Sequence, residues 1–183
     1  MSENAQQLDD LNSQLKFPKR PPLDKEMPIL KRKQTGSFYT ADSLTFAMAA
    51  ELIESLPPDK SACLYDLRFL EPCVGNGSFV FAYLAAAGKF GFTAAQYEKL
   101  LGNIYVCDTN AEALAIYKNT LSALAFDNYG IVLSDEYYAE HVGGALLFDL
   151  VADDCGYISI DDVFGKGFEN SFDIIITDRK SVV

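Results

Sequence analysis

The sequence predicts an α/β fold built on a doubly wound parallel sheet. Two compact apolar runs, Ile104-Tyr105-Val106-Cys107 and Phe172-Asp173-Ile174-Ile175-Ile176-Thr177, read as buried strands, and segments with helical periodicity alternate with such runs along the chain. The third observation is a glycine turn at residues 75–77, which joins a strand to the helix after it.

Bulk properties set the limits. At 183 residues, 49% hydrophobic and 22% charged, the chain is long enough for one buried core. No run of about 18 apolar residues is present to span a bilayer. The start Met1-Ser2-Glu3-Asn4 lacks the basic-then-apolar order of a secretion signal, so a cytoplasmic protein is expected. Cys63, Cys73, Cys107 and Cys155 form no C-x-x-C pair, which suggests neither a zinc site nor a disulfide framework, and no metal is expected. His141 is the only histidine, which excludes chemistry that needs two; it is read as an ordinary, partly exposed residue.

The net charge of −11 is unevenly spread: residues 1–34 hold seven Lys/Arg against five Asp/Glu, leaving eight against twenty-one, so the two parts carry +2 and −13. A −13 body is a poor surface for a phosphate backbone, which must be met by cations.

Residues 1–34, with Pro18, Pro21, Pro22 and Pro28 and no apolar period, read as an extended or disordered arm ending near Lys31-Arg32-Lys33. That triplet reads as a solvated charge run. A helix follows, capped by Thr40 or Asp42, with Leu44, Met48, Leu52 and Leu56 as its apolar stripe, and it ends at Pro57-Pro58. Leu64 to Leu70 is a strand candidate; Ser78 to Ala87 and about Thr93 to Leu101 are helices. After Asp108 comes a helix whose Leu114, Tyr117, Leu121 and Leu124 share one face, with Glu112 in its first turn. Residues 127–156 mix a strand candidate at Ile131-Val132-Leu133 with helical patches around Tyr137 to Leu150. Tyr157-Ile158-Ser159-Ile160 reads as a strand ended by Asp161-Asp162, and 172–177 as one buried on both sheet faces.

The strongest single feature is Phe69-Leu70-Glu71-Pro72-Cys73-Val74-Gly75-Asn76-Gly77-Ser78-Phe79, a strand running through two glycines into a helix. Glycine lets a backbone approach a ligand closely and leaves amide donors at the helix N-terminus, while Glu71 can accept from a ligand amine. Many unrelated folds need the same turn for steric reasons alone. Asp108, 31 positions after Gly77, has two readings: an acceptor for both ribose hydroxyls, or an acid capping the helix that begins near Asn110.

Taken together, these segments resemble the adenine-N6 DNA methyltransferases of restriction-modification systems, particularly the large fused type IIG-like enzymes, over about residues 31–177. Thr35-Gly36-Ser37-Phe38-Tyr39-Thr40 resembles the family's Gly-x-Phe/Tyr-Tyr-Thr segment, and Glu71 to Phe79 its Asp/Glu-Pro-x-x-Gly-x-Gly-x-Phe loop. The resemblance implies a Rossmann-like class I S-adenosylmethionine-dependent methyltransferase, truncated after its fourth strand. The cofactor would be held by Tyr39, Thr40, Glu71, Pro72, Gly75, Gly77, Phe79, Asp108 and Asp162. Asp108 would hold the ribose and Asp162 the adenine amino group, with Asp161 as the second choice for that role. For Tyr39, Thr40 and Phe79, simple packing is the competing reading.

After the last apolar strand the family continues with Asn-Pro-Pro-aromatic, the motif that holds a flipped adenine, whereas this chain gives Asp178-Arg179-Lys180. Asp accepts but cannot donate as Asn does, and neither Arg nor Lys reproduces a proline backbone. The expected organisation is therefore an arm over 1–34, the cofactor-binding half of a methyltransferase domain over 35–177, and a non-native or truncated tail over 178–183. No catalytic residue is expected. Double-stranded DNA would be bound through parts beyond this chain, with a fused or separate restriction nuclease and a target-recognition domain as further partners; no membrane is implied. The competing readings are a non-catalytic cofactor module, an RNA- or protein-directed methyltransferase, and a nicotinamide-dependent oxidoreductase, whose third glycine would fall at Val80.

Overall fold

The computed structural model describes residues 40–144 and 159–177. The arm read over 1–34, the segment 35–39 with Gly36 and Tyr39, the stretch 145–158 with Cys155, and the tail 178–183 lie outside the described residues. In chain order the elements are α1 (Asp42–Ser55), α2 (Pro58–Ser61), a 3₁₀ turn (Leu64–Asp66), β1 (Phe69–Glu71), α3 (Ser78–Gly88), α4 (Ala94–Leu101) and β2 (Ile104–Cys107). They continue with α5 (Ala111–Tyr129), α6 (Asp135–His141), β3 (Val142–Gly143), α7 (Ile160–Phe164) and β4 (Ile174–Ile175).

The four strands form one parallel sheet in the order β3-β2-β1-β4. Phe69 pairs with Ile104 on one side and with Ile174 on the other, so β1 is central. Side chains alternate across a strand. Phe69, Ile104, Val106 and Ile174 enter the larger core with residues of α1, α3, α4 and α5, whereas Leu70, Tyr105 and Cys107 face a smaller cluster of Ile160, Val163, Phe164, Phe168 and Phe172. The chain steps one way from β1 to β3 and then returns to the far side of β1, so right-handed crossovers must place their helices on opposite faces. The two clusters lie on those two faces. This is a small α/β domain with the strand order of a Rossmann-like sheet.

The helices follow local chemistry. Every residue from Ser78 to Ala87 of α3 is buried, as expected of a helix apolar on all sides and enclosed by neighbours. Thr93 and Gln96 form a capping box on α4, and Asn110 caps α5 by accepting from the Glu112 and Ala113 amides. Leu114, Tyr117, Leu121 and Leu124 all point into the core, as their spacing predicts.

Helix α6 closes the open end of α4. The Tyr137 hydroxyl donates to Leu101 O at 3.0 Å, and His141 Nε2 lies 3.0 Å from Gly102 O, so two side chains one turn apart serve carbonyls left over at a helix C-terminus. The His141 ring stacks between Tyr105 (4.7 Å) and Tyr137 (4.4 Å). The only histidine is thus buried and structural, not the partly exposed residue expected from sequence.

Other expectations need correction. The stripe Leu44-Met48-Leu52-Leu56 is not the core face of α1: Thr45, Phe46, Ala49 and Ile53 are buried, and Leu44 is 53% exposed. A strict four-residue spacing drifts by about 40° per step on a helix of 3.6 residues per turn, so that stripe winds off one face. The N-cap position is Ala41, with Asp42 in the first turn. Residues 64–66 are a 3₁₀ turn, and strand pairing starts only at Phe69. Ile131 to Leu133 form no strand. Ser159 and Ile160 are the N-cap and first residue of α7, because the Ser159 hydroxyl accepts from the Asp162 amide and starts a helix there. In 172–177 only Ile174 and Ile175 pair; Ile174 is buried but Ile175 is 55% exposed, so this edge strand is covered on one face.

Two tyrosines, Tyr97 and Tyr137, test the polar bookkeeping of the core. The hydroxyl of Tyr97 is buried with no hydrogen-bond partner among the described residues, and burial raises its pKa well above the ordinary value. Tyr137 is half-buried and its hydroxyl donates to Leu101 O. A buried polar group without a partner carries a desolvation cost of about 1–3 kcal/mol, whereas removing one partner of a made bond leaves the other stranded. Tyr97→Phe, which keeps the 3.8 Å stacking on Tyr129, is therefore expected to raise the urea midpoint and Tyr137→Phe to lower it. The opposite order would refute this account.

Candidate functional site

Strand order reverses at β1, the kind of point at which open parallel α/β sheets hold ligands, in a crevice at the carboxyl ends of their strands. The loop after β1 carries the sequence's strongest motif. Gly75 and Gly77 both adopt positive φ, +52° and +88°. A Cβ at Gly77 would sit 2.5 Å from Phe81 Cε2 and 2.7 Å from Tyr117 Cδ2, so the turn is pressed against α3 and α5 and tolerates no side chain. Gly77 is also the N-cap of α3 and has no side chain with which to cap that helix.

The turn is laced to the end of β2. Val74 N–H donates to Cys107 O at 2.8 Å, Gly77 N–H to Val74 O at 2.8 Å, and Gly75 N–H to Asp108 Oδ2 at 2.7 Å. The other oxygen of Asp108 accepts from Asn110 N–H at 2.8 Å, one step before the helix that Asn110 caps. Both sequence readings of Asp108 omit the bond to Gly75. Its carboxylate has about four lone-pair positions, so two further donors fit the group.

Glu71 ends β1 only 2% exposed, and its carboxylate adds to burial and Tyr137 in holding the Tyr117 phenol well above its ordinary pKa. A carboxylate this buried is costly and has little reason to be there for packing alone. Pro72 and Phe79 of the same loop and helix start are buried too; Asn76, also buried, accepts from the Ser78 hydroxyl at 3.0 Å. Burial pushes the Cys107 thiol up to about 12, which makes it a poor nucleophile. Thr40 is half-buried just ahead of α1, and Tyr39 lies outside the described residues.

The two acids of α7 have separate duties. Asp161 is a loop anchor: its carboxylate accepts from the amides of Gly167 (3.1 Å), Phe168 (2.8 Å) and Glu169 (3.0 Å). Asp162 is exposed, and its Oδ2 accepts from Ser159 N–H at 2.9 Å in a capping box. Sequence reading took both as acids at a strand end; Ser159-x-x-Asp162 is the signal that identifies a helix start instead. Helix α7 still reaches the strand ends, because Val163 packs where a Cβ on Gly143 would be. Gly143 went unnoticed in the sequence, since nothing local marks a close approach between elements twenty residues apart.

Comparison with family models, with curated proteins and with solved structures finds no match to this chain. Among the described residues no helix is long and apolar enough to cross a membrane.

The Asp161 anchor has a pH signature. The Gly167 amide, with those of Glu169 and Phe168 and the charge of Lys166, holds its carboxyl below the ordinary value of 3.8 against a smaller opposing effect of burial. A lowered folded pKa means that this contribution is fully present above the ordinary value and is lost as pH falls through the folded one. Wild type should therefore lose stability below about pH 4 more steeply than Asp161→Asn, which is weaker at neutral pH but flatter in acid. Parallel urea curves for the two proteins from pH 7 to pH 3, keeping a constant gap, would contradict it.

Proposed function

We propose that this chain is the S-adenosylmethionine-binding part of an adenine-N6 DNA methyltransferase. The observation that carries the reading is the glycine turn after β1, fastened to the acid after β2 beside the point where the strand order reverses. Parallel α/β sheets bind ligands in that crevice, and a first-strand glycine turn with a second-strand acid suits a nucleoside. Adenine in DNA as the target rests on the resemblance of the Gly36 to Thr40 segment and the Glu71 to Phe79 loop to that family, and on their order along the chain.

The residues fit the cofactor in kind. Asp108 retains acceptor capacity for two ribose hydroxyls, the N-terminus of α3 suits a carboxylate, and Glu71 offers an acceptor for an amine. For the adenine amino group, Asp162 is preferred to Asp161, since three backbone amides already occupy Asp161. When bound, the cofactor supplies an electrophilic methyl group on sulfonium sulfur. This chain's own share is binding and orientation, the component of catalysis that converts a bimolecular encounter into a positioned one. No described residue is assigned to methyl transfer, and the −13 body is not given the grip on DNA phosphates.

Titration calorimetry of the full chain tests the reading. S-adenosylmethionine and S-adenosylhomocysteine should both bind, with adenosine weaker and nicotinamide dinucleotides weaker still, because an acid-rich body disfavours a pyrophosphate and Val80 stands where the dinucleotide fingerprint has its third glycine. Tighter binding of a nicotinamide dinucleotide than of either sulfur compound would replace this reading with the oxidoreductase one.

A further inference from the structure

Asp108 does more than end a strand. Its bond to Gly75 spans 33 positions of sequence and ties the loop after β1 to the loop after β2; its bond to Asn110 fixes the backbone from which α5 starts. The turn has little freedom to find another partner, because Gly77 is wedged against Phe81 and Tyr117 and Val74 is held on Cys107 O. The direction of the Gly75 amide is therefore set from the β2 side by a side chain, and that side chain is the one proposed to meet the ribose.

We infer that Asp108 is a positioning residue for the glycine turn as well as a ribose acceptor, so that the two halves of the crevice are energetically coupled through one carboxylate. This rests on the S-adenosylmethionine reading. With the bond in place the turn is preorganised, and a ligand need not supply the cost of ordering it. Without it, every part of the ligand that meets the turn is bound less well, including parts that never touch ribose. Asn is not a conservative replacement here: its amide has one acceptor oxygen and turns two donors toward a site holding two backbone N–H groups, so it keeps only one of the two bonds.

The coupling separates from simple ribose contact when hydroxyls are removed from the ligand. S-adenosylhomocysteine and its 2′,3′-dideoxy counterpart are titrated into wild type, Asp108→Ala and Asp108→Asn, and the amide exchange of Gly75 and Asn110 is followed by NMR without ligand. If Asp108 positions the turn, Asp108→Ala weakens the dideoxy probe about tenfold, the scale of one charge-assisted hydrogen bond, and speeds exchange at Gly75 and Asn110 by a similar factor. Asp108→Asn should fall between the two, and it serves as the reporter if the alanine variant fails to fold. Equal binding of the dideoxy probe to wild type and variants, or unchanged exchange at Gly75, overturns the positioning role and leaves ribose contact alone. Binding of neither probe to wild type overturns the cofactor reading, and the Gly75 exchange rate then decides the tie between the loops by itself.

Discussion

Burial of both faces of a narrow parallel sheet is the constraint on which the rest of the structure depends. The described strands are two to four residues long, so the backbone ladder alone contributes little and packing has to hold the strands together. On one face Phe69, Ile104, Val106 and Ile174 meet a helical layer in which α3 is enclosed on every side. On the other, Tyr105 collects Phe164, Phe168 and Phe172 edge-on at 5.0–5.6 Å, an aromatic lid over three strand residues. Edge-to-face pairs of this kind add specific geometry to the area they bury.

The second face is the thinner one, and polar bonds rather than apolar area keep it in place. The Asp161 carboxylate gathers three amides and fixes the bend that brings Phe168 over the sheet, where Arg68 also lies 5.2 Å from its ring centroid. Asp173 performs the matching task at the start of β4, accepting from Lys60 Nζ at 2.7 Å and from Arg68 N–H at 3.1 Å. Gly143 admits Val163 at the opposite edge. A cover made this way is cheap in residues and depends on individual atoms.

The same economy shapes the crevice. Its turn is rigid because of a steric condition at Gly77, a backbone bond from Val74 and a side-chain bond to Asp108, three constraints drawn from different segments. Rigid presentation of amides and carboxylates is what binding a small polar ligand demands, since each group immobilised beforehand is one the ligand does not have to order. Glu71 at the end of β1, buried, and Asp108 after β2, tied to Gly75, are the acids at that turn.

The sequence by itself determined what depends on short-range pattern. The apolar run from Ile104 to Cys107, the α5 face from Leu114 to Leu124, and the strand-turn-helix at 69–79 were legible because periodicity and glycine placement are local properties. Local pattern also misled where two elements share it: Ile160 follows a serine that starts a helix, and Leu44 with Met48 reads as a core stripe although the packed face of α1 is Phe46, Ala49 and Ile53. Only the tertiary structure decided which face of a helix is buried, that His141 closes the end of α4, that Gly143 makes room for Val163, and that Asp108 binds Gly75. Each of these is a contact between segments distant along the chain, and its free energy exists only once the sheet has brought them together.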